Sequence, residues 1–185
     1  LPLVRGLPLP PIQATVDRFG GIDILIPNAG LGYRAPIVES DTQRWKTMID
    51  TNIFGVLITL KYGVPHVVAR GRGDVFLLSS VAGQKVGNGG AAYSATKFAV
   101  NAIGEALRQE MARANVRVTL LQPGVVISEF QEVADYPPGL IESWLGGTPP
   151  VQTQDIAQIV LATLDLPQHV SVNEICIRPT GQINP

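Results

Sequence analysis

Tyr93 and Lys97 stand four residues apart in Ala91-Ala92-Tyr93-Ser94-Ala95-Thr96-Lys97. On a helix that spacing places them one above the other on a single face. An ammonium held beside a phenol favours the phenolate, because an opposite charge stabilises the ionised form of a group that otherwise titrates at about 10. The pair can therefore give and take a proton. In isolation the same spacing also suits a solvated helix face, so its meaning depends on the elements that position it.

Those elements alternate in type. Residues 12–19 read as a short helix stopped by Gly20-Gly21. Ile22-Asp23-Ile24-Leu25-Ile26 is an apolar run of β-formers, expected as a strand buried on both faces. It ends in Pro27-Asn28-Ala29-Gly30, a turn whose small residues let backbone approach a ligand closely. Ser40-Asp41-Thr42-Gln43 has the form of a capping box with Ser40 at the N-cap. The helix it opens carries Trp45, Met48, Ile49, Ile53, Val56, Leu57 and Leu60 as one continuous apolar stripe, and Pro65 is expected to kink or end it. Asn52 lies within that stripe. A buried asparagine must find partners, so it either ties a neighbouring strand to the helix or takes part in chemistry.

Residues 74–78 form a second expected strand, running into Ser79-Ser80, and a glycine-rich loop then delivers the chain to the Tyr93 helix. The alanines of that helix keep much of its surface small, which permits close packing, another subunit being one candidate neighbour. Residues 116–121 form a third strand, broken by Gln122-Pro123-Gly124. Residues 128–150 read as irregular, with Phe130, Tyr136 and Trp144 among prolines and glycines, in the manner of a mobile lid or pocket wall. Thr153 is expected to cap a helix to about residue 164, and residues 172–177 form the last strand. Strands alternating with helices imply a parallel sheet with right-handed crossovers, in which ligands sit beyond the carboxyl ends of the strands. Asn28-Ala29-Gly30, Ser79-Ser80, Pro123-Gly124 and the start of the Tyr93 helix all fall at that edge.

The 185 residues suggest one domain, 45% apolar, with a net charge of −1. Nothing points to a nucleic-acid groove or a membrane surface, and no apolar run is long enough to span a bilayer. Residues 1–11 carry four prolines and do not resemble a signal peptide. Cys176 is the single cysteine; its flanks read as a strand, so it is expected as a small core residue in a reducing, cytoplasmic setting. No metal-ligand cluster is evident.

In this order and spacing the motifs resemble the short-chain dehydrogenase/reductase family. Asn28-Ala29-Gly30 is similar to the family's Asn-Ala-Gly turn, and Asn52 falls where its helix carries a structural and catalytic asparagine. Ser80 precedes Tyr93 by thirteen residues, the family's usual serine-to-tyrosine interval, and Tyr93-x-x-x-Lys97 is its signature. Pro123-Gly124 matches the pair after the next strand, with Val126 and Ser128 at positions that commonly contact the nicotinamide amide and the phosphate region. The resemblance runs from about residue 12 to the end. It implies an α/β, Rossmann-like doubly wound parallel sheet and hydride transfer between NAD or NADP and an alcohol or carbonyl carbon. Tyr93 would be the general acid/base, Lys97 would depress its pKa and hydrogen-bond the nicotinamide ribose, Ser80 would hold the substrate oxygen, and Asn52 would hold a water that relays the proton. Gln84, Lys85 and residues 129–145 are candidates for substrate selection. A homodimer or homotetramer is implied too, and the tail from Asn173 to Thr180 is similar to that of a branch acting on small hydroxy acids and serine.

The sequence departs from the family in one respect. A first strand ending in Thr-Gly-x-x-x-Gly-x-Gly, whose amides hold the pyrophosphate, does not occur in it. The sheet is therefore expected to be truncated on its N-terminal side, with the sequence a part of a longer polypeptide or a shortened form of one. A second class of function, a non-catalytic binding or dimerisation module built from this fold, would predict no cofactor binding and a dimer through the Tyr93 helix.

Overall fold

The most apolar segments pair with one another. In the structure, a computed structural model that describes residues 10–183, β2 (Gly73–Leu78) lies parallel to β3 (Val116–Pro123), in register from Gly73 opposite Val116 to Leu78 opposite Leu121. β1 (Ile24–Leu25) flanks β2 and β6 (Glu174–Ile177) flanks β3, both parallel, in the order β1-β2-β3-β6. The connections carry α1 (Pro10–Phe19), α2 (Thr42–Ile49), α3 (Val56–Val68), α4 (Ala91–Met111) and α7 (Thr153–Leu164). A parallel sheet flanked by helices is the expected Rossmann-like arrangement. Its core joins Val75, Leu77, Val118 and Leu120 of the central strands to Leu60, Val64 and Val67 of α3 and Val100 and Leu107 of α4.

Several local expectations are corrected. β1 is only two residues long and is not buried on both faces: Leu25 is buried, whereas Ile24 and Ile26 are each 42% exposed. Asp41, not Ser40, is the N-cap of α2, accepting from the Gln43 amide at 2.8 Å, while the Ser40 hydroxyl donates to the Pro36 carbonyl. The apolar stripe is not one continuous helix, because Asp50–Gly55 forms a π-helical turn between α2 and α3. Ile49 and Leu57 consequently face outward while Met48, Val56 and Leu60 remain inside. Pro65 neither ends nor interrupts α3; burial of Val64 and Val67 on the core side carries the helix one turn past it. Cys176 is exposed rather than buried, because β6 is an edge strand that turns this residue outward, and its sulfur accepts from Arg178 Nη1 at 2.9 Å.

Residues 128–150 are not irregular either. They hold α5 (Phe130–Val133) and α6 (Leu140–Leu145), and the segment is pinned at its base by a small parallel pair, β4 (Val126–Ile127) with β5 (Val151–Gln152). Gln152, one residue before the expected Thr153, caps α7, and its backbone amide donates to the Asp155 carboxylate at 2.7 Å. At the opposite end of the sheet, Arg117 on β3 and Asp74 on β2 form a buried pair, Nε to Oδ1 2.6 Å. The Arg117 guanidinium also donates to the carbonyls of Leu164, Leu166 and Val170 and so fastens the end of α7 beneath the sheet.

Candidate active site

β2 and β3 end at the same level, and the segments that leave them face a cavity of about 1030 Å³. That is at the upper end of the roughly 300–1,000 Å³ usual for small-molecule clefts. After β2, Ser80 caps a 3₁₀ turn (Val81–Gly83) by accepting from the Ala82 amide at 3.1 Å, and its hydroxyl donates to the Pro123 carbonyl at the end of β3 at 3.3 Å. This turn lies against α4 so closely that a Cβ at Gly83 would sit 2.8 Å from Ser79 Oγ and 3.0 Å from the Lys97 carbonyl. The first turns of α4 are thereby held beside Ser80, whose hydroxyl is near enough to draw the Tyr93 phenol's pKa down.

Lys97, one turn further along α4, is buried, and its Nζ donates to the Leu78 carbonyl at 2.8 Å, 5.7 Å from the centre of the Tyr93 ring. Gly30 closes the other side. A Cβ there would come to 3.5 Å from Asn52 Oδ1 and 3.8 Å from Lys97 Nζ, so the absent side chain leaves the ammonium open to a ligand lying against the Asn28-Ala29-Gly30 turn. Asn28, Gly30, Ser80, Tyr93, Lys97, Pro123, Gly124, Val126 and Ser128 all line the cavity. Ala29 and Asn52 are not among the lining residues, nor is Gln84, which instead hydrogen-bonds Gln122. The Ser128 hydroxyl accepts from the Phe130 amide at 3.2 Å.

Asn52 is 1% exposed. Its Oδ1 accepts from the Leu31 amide at 2.9 Å, and its Nδ2 donates to the Leu31 carbonyl and to Thr96 Oγ1. The side chain thus joins the turn after β1, the π-helical turn that presents it, and α4. Of the two roles left open by the sequence, its contacts account for the tie; the extra residue of a π turn is what aims it there.

Burial sets the protonation of the pair, and the result departs from expectation. The Tyr93 phenol is pushed above its ordinary value by desolvation, an effect the neighbouring Ser80 hydroxyl only partly opposes. Lys97 is drawn down to about 8, also by desolvation. Removal from water is the largest influence on both groups. A lysine whose folded value lies below its unfolded one withholds stability while both states are protonated, and the loss is recovered as pH rises from about 8 towards 10.5. Lys97→Met should therefore be more stable than the parent at pH 7 by roughly 1–3 kcal/mol, the lost Leu78 contact offsetting part of the gain. The advantage should shrink towards pH 10, as read by urea unfolding of both proteins. A variant less stable than its parent at pH 7 would refute the burial cost.

Two features of the site had little or no sequence signal. Gln182, in the tail after β6, accepts from the Val125 amide through Oε1 at 2.8 Å, and its side chain fills the space that any Cβ on Gly124 would need. It fixes the Gly124-Val125 turn at the cavity wall. The second is a run of aromatic contacts: Tyr93 to Phe130 at 5.6 Å, Phe130 to Tyr136 at 6.0 Å and Tyr136 to Trp144 at 5.7 Å between ring centres. Phe130 also packs onto the bare backbone of Gly32, and Arg44 of α2 pairs with Asp135. Residues 128–150 are closed over Tyr93 by these contacts. Only the aromatic content of the segment hinted at them.

The sequence pattern of short chain dehydrogenases matches residues 11–136. An uncharacterised oxidoreductase of Staphylococcus epidermidis is 36% identical over 168 residues, covering 91% of this chain and 69% of that protein. The closed form of a serine dehydrogenase complexed with NADP+ superimposes with a TM-score of 0.85 at 31% identity, over 94% of this chain and 73% of that one. An alcohol dehydrogenase from the archaeon Thermococcus sibiricus, complexed with 5-hydroxy-NADP, gives a TM-score of 0.80 at 28% identity, over 94% and 70%. By matched pattern and shared fold, the chain belongs to the short-chain dehydrogenase/reductase family of NAD(P)-dependent oxidoreductases.

Proposed function

We propose that this cavity oxidises or reduces a small alcohol or carbonyl compound, with Tyr93 as the proton-transfer group. The observation that carries the reading is that Ser80, Tyr93 and Lys97 line one cavity, with the Lys97 ammonium 5.7 Å from the centre of the phenol ring. The nicotinamide, when bound, supplies or accepts the hydride. Ser80 holds the substrate oxygen: its one hydroxyl proton, given to the Pro123 carbonyl at 3.3 Å in the structure, turns to the charge that develops there. Tyr93 gives the proton in reduction and removes it in oxidation. Lys97 has donors left after Leu78 for a ribose hydroxyl, and at about 8 it is largely cationic at neutral pH, so a phenolate formed beside it has a counter-charge. Gly30 leaves room for the ligand, and Pro123, Gly124, Val126 and Ser128 form the wall against which the nicotinamide side would lie. Asn52 acts chiefly by positioning the turn after β1.

Residues 128–150 serve as the lid of this single domain. The family resemblance of the tail, together with the serine dehydrogenase neighbour, favours a small hydroxy acid as substrate. A homodimer or homotetramer is supported by apolar residues left outward on adjoining helices, Phe54, Leu57 and Phe98 with Ala95 and Ala102. A net charge of −1 gives no basis for nucleic-acid binding. Among the described residues no helix is long and apolar enough to cross a membrane; a cytoplasmic location is part of the proposal. Titration with NADH and NADPH, followed by nucleotide fluorescence, tests the reading: one or both should bind, and saturation by neither would remove its basis.

A further inference from the structure

Arg34 lines the same cavity as Tyr93 and Ser80, half-buried, on the loop after Gly30. Its guanidinium lies 5.4 Å from the Trp144 ring centre and is close enough to Tyr136 to draw that phenol's pKa down against the burial that raises it. Yet among the described residues Arg34 takes part in no ion pair, and its side chain donates no hydrogen bond. The acidic lining residue, Glu129, is not paired with it. A guanidinium partly withdrawn from water without an anion is costly. Stacking on an indole offsets about 0.5–2 kcal/mol of that and holds the plane fixed, while leaving the fork of N–H donors at its edge unused. Such a fork matches two oxygens of one planar anion.

The neighbours of the fork belong to the substrate side. Trp144 and Tyr136 continue the aromatic run that reaches Tyr93 through Phe130, so whatever Arg34 holds lies under the same segment as the proton-transfer group. We infer that Arg34 recognises a carboxylate of the substrate, with Trp144 as its platform, and that the hydroxyl or carbonyl presented to Tyr93 and Ser80 belongs to a small hydroxy or oxo acid. This inference rests on the chain being an oxidoreductase of the kind proposed.

The test compares 3-hydroxypropanoate with its methyl ester. In steady-state assays Arg34→Gln should lower the acid-to-ester ratio of kcat/KM by about 10- to 100-fold, the range for loss of a hydrogen bond to a charged group. Arg34→Lys should restore part of it. Equal losses on acid and ester would reduce Arg34 to a prop for the lid and overturn the inference, as would a loss of NADPH affinity in Arg34→Gln, which would assign the residue to the cofactor. A second readout does not depend on turnover. In a Trp45→Phe background, where Trp144 is the remaining indole, the acid should alter tryptophan fluorescence and the ester should not, and Arg34→Gln should abolish the response. If the parent turns over neither compound, the oxidoreductase reading fails while this titration still decides Arg34: a response lost on substitution sustains it, and no response in the parent overturns it.

Discussion

Tyr93→Phe should lower kcat for alcohol oxidation by about a thousandfold, within the 10²–10⁴ that a positioned general acid/base contributes. The substitution removes one oxygen and keeps the ring, so the 5.6 Å contact with Phe130, and with it the packing of residues 128–150 beside Tyr93, should persist. Nucleotide affinity and melting temperature should accordingly change little. Ser80 keeps its bonds to Ala82 and Pro123 and stays in place. In the parent, oxidation should speed up as pH rises, because burial holds the phenol protonated, whereas carbonyl reduction, which uses the protonated phenol, should stay level through neutral pH. Full activity in the variant, or an oxidation rate that does not rise with pH, would remove Tyr93 from the reaction.

The largest loss of stability should come from the opposite end of the sheet. Arg117→Ala leaves Asp74, 7% exposed, as a buried carboxylate without its partner and strips the Leu164, Leu166 and Val170 carbonyls of their donor. Breaking a buried pair from one side costs about 3–5 kcal/mol, which for a chain of this length is a fall of roughly 10 °C in Tm. Arg117→Met with Asp74→Leu should recover a large share of it, since neither charge is then stranded. Calorimetry of single and double variants checks both statements. An undiminished loss in the double variant would place the cost in the carbonyl clamp at the end of α7 instead.

What the sequence revealed depended on how local the physics was. The central strands were legible because their apolar runs are bounded by turns, Tyr93 and Lys97 because helical spacing fixes their proximity, and Ser80 because the end of its parallel strand falls at the same edge as the start of that helix. The π-helical turn was not, since nothing in Asp50-Thr51-Asn52-Ile53-Phe54-Gly55 differs in character from an ordinary helix; it is stabilised by what Asn52 reaches across the fold. Cys176 was misplaced because an alternating strand does not state which of its faces is covered. Gln182 and the β4–β5 pair depend on partners more than twenty residues away in sequence. The sign of the Tyr93 shift failed for a related reason: a charge four residues off can be read from the chain, whereas the loss of water around it cannot.

The turn at Asp50–Gly55 also sets what kind of change the protein can absorb. A helix that carries one residue too many has, in effect, stored an insertion. Substitutions there alter single contacts, but deletion of one residue would let α2 and α3 merge into one regular helix in which both flanks keep their faces, since eleven residues at about 100° each leave Met48 and Leu60 within about 20° of one another. The wider turn would be lost, and with it the reach of Asn52 to Leu31 and Thr96. The core on either side can absorb a shorter stretch; the tie that Asn52 makes cannot.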